Sequence, residues 1–391
     1  MTRVVSFEIE GLAGRKKPVS HELNKDVNVF WGANGAGKTS MLRIIHSALT
    51  ADATELASVA FNSASVTFYS EHQDAILTRT IRKSDIQTRK RREHRTAVEN
   101  FAIHGNPAPE SPEKSPEGKW RTTPSEIQDR PFRHQWLPIS RIIGPLPSGR
   151  TASHLNEIKY WSDSEIDEAF TEAVTDRWRY WQYVSARNIK ELQQDGLAEV
   201  LNVALRPHML EPGNDDPVEI DDAHKLVNKF FLGNESTAHL IFDSLDEFKH
   251  VYESSPILPN VVTKMREMQE KIDAALEPRR RLESLIGRLF GNSTTRLEFG
   301  EYGIAAFVGD EEIPLGGLSS GQRQLLTILL ECLQAERNTI MVDEPELSMH
   351  VDWQNELVSN MQTVNSSAQI IMASHSPEVM GPLDDRCVIE L

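Results

Sequence analysis

The chain has 391 residues, of which 39% are hydrophobic and 26% charged, enough apolar content to fill one large or two modest cores and to exclude a wholly disordered chain. Its formal net charge is −16, so any nucleic-acid contact must be local or supplied by a partner, because a surface that grips phosphates throughout is basic. No apolar run reaches membrane-spanning length, and residues 1–10 alternate like a strand without the apolar stretch of a signal peptide; a cytoplasmic protein with no membrane contact is the expectation. Cys332 and Cys387 stand far apart without a CxxC spacing, which argues against a disulfide framework or a zinc site and for two buried thiols.

Residues 3–9 alternate as a half-buried strand. Gly11 and Gly14 then mark a turn beside Arg15, Lys16 and Lys17, which should be exposed. Residues 27–31 form an apolar run short enough for a buried strand. They lead into Gly32-Ala33-Asn34-Gly35-Ala36-Gly37-Lys38-Thr39, which fits the phosphate-loop pattern G-x-x-x-x-G-K-[ST] at every fixed position. From Ser40 to Leu49 the apolar residues recur at helical spacing. Strand, glycine loop and helix together turn a pattern match into an expected site: glycines let the backbone bend around phosphates, and its N–H groups with the helix N-terminus favour anions. Lys38 would bridge β- and γ-phosphates, and the Thr39 hydroxyl would ligate Mg²⁺.

Residues 65–69 and 75–81 read as a strand pair closing antiparallel through a polar turn near Glu71 and Asp74. Residues 82–130 change character. They hold the basic block Arg89-Lys90-Arg91-Arg92-Glu93-His94-Arg95 and a Pro-, Ser- and Glu-rich run from Asn106 to Pro116, and read as a mobile insertion. The block is either a phosphate contact or a solvated face that balances an acidic chain. Residues 134–141 restore apolar order as a buried strand leaving the core sheet. From Ser162 to about Leu205 the spacing is helical, and the stripe Trp178, Tyr180, Trp181, Tyr183 suits helix–helix packing better than base stacking. Residues 211–217 break this helix; 219–253 and 259–290 read as further amphipathic helices, without a heptad long enough for an extended coiled coil.

Strands return at 295–299 and 304–308. Leu318-Ser319-Ser320-Gly321-Gln322 opens a helix whose N-terminus suits an anion, although a Ser-capped helix explains it equally well. Residues 339–344, Thr-Ile-Met-Val-Asp-Glu, form a buried strand ending in two acids, and such a strand in a parallel sheet presents ligands at its C-terminal edge. Asp343 would hold the Mg²⁺ shell through water, and Glu344 would polarise the attacking water as general base; an acidic strand end with Glu-Pro-Glu starting a helix is the plainer alternative. Residues 369–373 make another apolar strand, ending at Ser374-His375-Ser376-Pro377, where His375 could hydrogen-bond a γ-phosphate and position water.

In this order the motifs GANGAGKT, LSSGQ, TIMVDEPELSMH and ASHSP resemble those of the ABC-type ATPases, closer to the SMC-like and overcoming-lysogenization-defect-like branch than to transporter subunits. The resemblance covers residues 1–81 and 295–391. It implies an α/β phosphate-loop core of mixed sheet flanked by helices, split by the insertion 82–130 and by a return strand and helical lobe over 131–294. It implies ATP and Mg²⁺ as ligands and hydrolysis to ADP and phosphate. It also implies a homodimer or higher even oligomer closed head to tail, with Ser319, Ser320, Gly321 and Gln322 meeting the γ-phosphate held by Lys38 of the other copy. Gln135 is the candidate for the family's glutamine loop and a third metal contact.

Departures from that family shape the functional expectation. There is no zinc hook, no long coiled coil, and little sequence after the His375 motif for a nuclease domain. The layout resembles ATPase subunits of bacterial anti-phage systems of the Septu, PARIS and retron-associated kinds, which implies a separate nuclease or toxin effector. The competing expectation is an SMC-like DNA-repair or chromosome-maintenance ATPase that clamps DNA, with Arg89–Arg95 as the contact.

Overall fold

The computed structural model describes residues 2–86, 120–124, 131–138, 162–205, 218–232, 242, 244–291 and 294–391. The basic block at 89–95, the Pro-rich run and the helix break at 211–217 lie outside the described residues.

In chain order the first strands are β1 (Thr2–Glu10), β2 (Val19–Glu22) and β3 (Val27–Trp31), followed by helix α1 (Lys38–Thr50). Then come β4 (Ser63–Ser70), β5 (Ala75–Arg82), β6 (Arg121–Thr123), β7 (Gln135–Leu137) and α2 (Asp163–Leu205). Helices α3 (Ile220–Leu232), α4 (Leu245–Ser254) and α5 (Leu258–Phe290) follow. The last part holds β8 (Thr295–Phe299), β9 (Ile304–Val308), β10 (Glu311–Ile313), α6 (Ser320–Gln334), β11 (Thr339–Asp343), α7 (Val351–Val364), β12 (Gln369–Ala373), α8 (Pro377–Met380) and β13 (Val388–Glu390).

Two sheets enclose α1. The first is antiparallel, in the order β2-β1-β4-β5-β6, and its alternation follows the period-2 pattern of the sequence: Phe7 and Ile9 are buried while Glu8 and Glu10 face out. The second runs β13-β3-β12-β11-β7, and every pairing in it is parallel. All five residues of β11 and of β12 are buried, as expected of parallel strands covered on both faces. Between the sheets, Met41, Leu42, Ile44 and Ile45 of α1 share one core with Phe7 and Phe68 of the first and with Met341 and Ile371 of the second. β8, β9 and β10 form a separate antiparallel sheet of three strands.

The chain divides into two compact units, Met1–Trp178 with Arg281–Leu391, and Arg179–Arg280. Helices α2 and α5 therefore each pass from one unit into the other. The second unit has its own core, in which Val200, Ala223, Val227, Phe248, Tyr252, Val262 and Met265 pack together. Where the sequence suggested one helical stretch over 219–253, α3 ends at Leu232 and α4 starts at Leu245 with Ser244 as its N-cap, its side chain accepting from the Glu247 N–H. The aromatic stripe is split: Trp178 is fully buried and donates to the Gly300 carbonyl at 2.7 Å, whereas Tyr180 and Tyr183 are exposed. Both cysteines are buried. Among the described residues no helix is long and apolar enough to cross a membrane.

Candidate active site

The C-terminal ends of β3, β12 and β11 lie side by side, because β12 pairs with both β3 and β11. Each of those ends carries one of the chemical stretches found in the sequence. The phosphate loop leaves β3, Ser374-His375 follow β12, and Asp343-Glu344 close β11. Parallel pairing places all of them at one edge of one sheet, the usual ligand position of such sheets.

The loop that follows β3 bends through Gly35 at φ 85° and Gly37 at φ 99°, a region that residues with a Cβ rarely enter. Gly37 is the N-cap of α1, whose first turn carries no acid, so the helix N-terminus is free to favour an anion. A Cβ on Gly37 would come within 3.0 Å of the Leu12 side chain, so the turn after β1 closes directly on the loop. Lys38 is buried, and its ammonium donates to the Gly32 carbonyl at 2.7 Å.

Asp343 is 3% exposed, and neither carboxylate oxygen has a hydrogen-bond partner of normal geometry. Burial pushes its pKa up to about 6. The neighbouring Thr39 hydroxyl draws it down, Glu344 raises it, and Arg43 and Lys38 lower it. A buried carboxylate without a good hydrogen-bond partner beside a threonine hydroxyl offers two oxygen ligands for Mg²⁺, and the nearby Lys38 ammonium is the counter-charge a phosphate chain would need. Among the described residues no group of three or more His, Cys, Asp or Glu is placed to hold a metal. A cation here would therefore take most of its ligands from phosphate and water, as Mg²⁺ prefers. The residues present fit that ion.

Glu344 adopts φ 47°, a left-handed conformation that costs a residue with a side chain roughly 1–2 kcal/mol. Its N–H donates to the Ala373 carbonyl at 2.8 Å, which continues the β11–β12 ladder and holds the strained residue at the edge. The half-buried Glu344 carboxylate lies 3.7 Å from His375 Nδ1. Glu346 is nearer. Its Oε1 lies 3.2 Å from His375 Nδ1 and accepts from the Ser374 hydroxyl at 2.8 Å and from the His375 N–H at 2.9 Å.

The signature stretch sits at the start of α6. Ser319 is the N-cap, its hydroxyl accepting from the Gln322 N–H at 3.3 Å while Gln322 accepts from the Ser319 N–H at 3.0 Å, a reciprocal capping box. Ser319 and Ser320 are exposed; Gly321 and Gln322 are buried. A Cβ on Gly321 would come within 2.7 Å of the Ser348 carbonyl, and Gln324 donates to the Pro345 carbonyl at 2.6 Å. Helix α6 is thus seated on the turn that follows Glu344.

The sequence-named residues Lys38, Thr39, Asp343, Glu344 and His375 are brought to this edge; Gly32, Ala33, Asn34, Gly35, Ala36 and Gly37 make the loop, and Lys38, Thr39 and Ser40 open α1. Gln135 is not. It starts β7 opposite Ile340, three positions before Asp343, and at about 3.3 Å per residue that sets it roughly 10 Å back from the edge. Trp136 pairs with Met341 and Leu137 with Val342, so Leu137, not Gln135, is the residue of β7 nearest the edge. From the sequence, Glu346 reads as part of a Glu-Pro-Glu helix start. In the structure the next helix, α7, begins only at Val351, capped by His350, and Glu346 is turned inward.

Similar architectures are known. The Smc head domain of Pyrococcus furiosus, solved with an extended coiled coil bound to the C-terminal domain of ScpA, is 11% identical, with 98% of this chain and 92% of that chain covered, at a TM-score of 0.44. The Smc head domain of Pyrococcus yayanosii, with a coiled coil and joint, is 12% identical, with 98% and 94% covered, at a TM-score of 0.43. The model of the AAA_21 family, described as "AAA domain, putative AbiEii toxin, Type IV TA system", matches residues 27–381, and the chain belongs to this family of phosphate-loop ATPases.

Proposed function

We propose that the protein binds and hydrolyses ATP with Mg²⁺, closes as a head-to-tail dimer around the nucleotide, and regulates a separate nuclease or toxin effector in anti-phage defence. The observation that carries the hydrolytic part is the buried, unpartnered Asp343 carboxylate beside Thr39 and Lys38, with Glu344 and His375 at the same edge. The family's description names a toxin of a type IV toxin–antitoxin system, which supports a defence-linked role.

The chain's residues divide the work. Backbone N–H groups of Gly35 to Thr39 would hold the β-phosphate, and the Lys38 ammonium would leave the Gly32 carbonyl for the β- and γ-phosphate oxygens. Thr39 and Asp343 would hold Mg²⁺, which when bound neutralises the phosphate charge. Glu344 would orient the attacking water and accept its proton. His375 would accept from the attacking water and so help to position it at the γ-phosphate. Ser319 to Gln322 of a second copy would cover the opposite side, and two half-sites of differing affinity for ATP and ADP make closure nucleotide-dependent.

Phosphate release by wild type and by Glu344→Gln, with molar mass by light scattering in ATP and in ADP, tests this. The expected result is Mg²⁺-dependent turnover lost by at least about a hundredfold in the variant, which with ATP runs as a dimer. Equal turnover, or a monomer under every nucleotide, contradicts it.

A further inference from the structure

Glu346 is 5% exposed, carries three interactions on one oxygen, and has no place in the division of labour above. Its Oε1 accepts from the Ser374 hydroxyl and the His375 N–H and lies 3.2 Å from His375 Nδ1. Its Oε2 is buried with no partner. The His375 side chain is 42% exposed, so the ring leans on a buried carboxylate on one side and opens outward on the other. The second acid near the same nitrogen, Glu344, is at 3.7 Å, beyond hydrogen-bond length.

We propose that Glu346 is the positioning residue of the hydrolytic site: it takes the hydrogen bond from His375 Nδ1, which fixes the imidazole tautomer with Nε2 facing the substrate side and keeps the Glu344 carboxylate free for water. This rests on the ATP-hydrolysis reading above. A neutral imidazole has one N–H and one bare nitrogen, and the partner of one nitrogen decides the role of the other. With Nδ1–H given to Glu346, Nε2 is the bare nitrogen that can accept from a water. Without Glu346, the nearest acceptor for Nδ1–H is Glu344, and the general base is then tied up. The two contacts to Ser374 and to the His375 backbone fix where the ring is rooted, and the Nδ1 contact fixes how it is turned.

The test is a double-mutant cycle on the full-length chain: wild type, Glu346→Ala, His375→Ala and the double variant, with Glu346→Gln as the conservative change. Glu346→Ala is expected to lower kcat about tenfold or more with KM changed less than about threefold, and to cost less than about twofold when His375 is already alanine. Glu346→Gln, whose amide oxygen can keep the hydrogen bonds from Ser374 and the His375 N–H and still accept from Nδ1, is expected to keep more than about a third of kcat. Equal losses with and without His375, or a wild-type kcat in Glu346→Ala, overturn the proposal. An independent readout needs no variant of Glu346 to fold. In ¹⁵N-histidine spectra the His375 signal, identified by its loss in His375→Ala, should show the Nδ1–H tautomer, and an Nε2–H tautomer there overturns the proposal. A wild type that releases no phosphate contradicts the hydrolytic reading instead, and the spectrum still decides this one.

Discussion

The side chain of Gln369 takes both backbone groups of Val4: its Oε1 accepts from the Val4 N–H at 2.8 Å, and its Nε2 donates to the Val4 carbonyl at 2.8 Å. Nε2 also donates to the Asn24 carbonyl at 2.8 Å, and the Thr339 hydroxyl lies 3.0 Å from the same Oε1. Val4 borders the irregularity in the β1–β4 ladder, between Val4 and Ser6. A fully buried glutamine therefore acts as a strand neighbour and ties the antiparallel sheet to the base of the parallel one.

Gln369→Leu strands several buried polar groups at once, and each costs about 1–3 kcal/mol when its partner is removed without replacement. A loss of roughly 3 kcal/mol in urea unfolding is expected. A change below about 1 kcal/mol would mean that Gln369 does not join the sheets.

Arg177 and Glu331 form an ion pair at 2.6 Å with side chains 11% and 4% exposed. Burial raises the Glu331 pKa, and Arg177 draws it down. Arg177→Met leaves that carboxylate without its cation and should cost about 3–5 kcal/mol, while Arg177→Met with Glu331→Leu should recover most of the loss. The check is thermal and denaturant unfolding of the three proteins. A double variant no better than the single one would show that packing at Arg177, not the charge pair, matters there.

His46 Nδ1 lies 2.8 Å from His134 Nε2, and His134 Nδ1 is 2.7 Å from the Phe132 carbonyl. Burial, then His134, lower the His46 pKa to about 3, with Asp52 opposing them; burial lowers that of His134 as well. A folded-state pKa below the unfolded one means that the unfolded chain binds more protons as pH falls below about 6.5. Stability is full above that pH and, for His46, is lost as pH falls toward 3 at up to about 1.4 kcal/mol per unit, with His134 acting in the same direction. His46→Gln should flatten the slope of unfolding free energy between pH 6.5 and 4.5. An unchanged slope would place the acid sensitivity elsewhere.

A Cβ on Gly321 meets backbone, the Ser348 carbonyl at 2.7 Å, and cannot be accommodated by a side-chain rotation. Gly321→Ala should displace the turn that carries Glu346 and sits behind Glu344. The expected outcome is phosphate release lowered about tenfold or more while ATP binding, made by the phosphate loop, changes little. An alanine variant with wild-type turnover would separate α6 from the hydrolytic edge.

Much of this was legible in the sequence because the informative signals are local. The phosphate loop announces itself by glycine spacing, β3, β11 and β12 by short apolar runs, and Asp343 and His375 by standing where such runs end. Gln135 was misplaced because strand register is a pairwise property: nothing in residues 134–141 says which residue of β7 faces Ile340. Glu346 escaped for a related reason. Whether an acid three residues past a strand caps a helix or turns inward depends on His375, which is distant in sequence. The Gln369–Val4 suture joins residues from opposite ends of the chain, and a glutamine opening an apolar strand gives no sign that it will satisfy another strand's backbone.

The most direct measurement of the central claim is Mn²⁺ binding by electron paramagnetic resonance, with ATP, for wild type, Lys38→Ala and Asp343→Asn. If Thr39, Lys38 and Asp343 converge on one metal–triphosphate, wild type should bind Mn²⁺ with the nucleotide, and Asp343→Asn should weaken it by about 10–100-fold. Lys38→Ala should lower nucleotide and metal binding together. Metal binding unchanged in Asp343→Asn, or no nucleotide-dependent Mn²⁺ binding in wild type, would contradict the account.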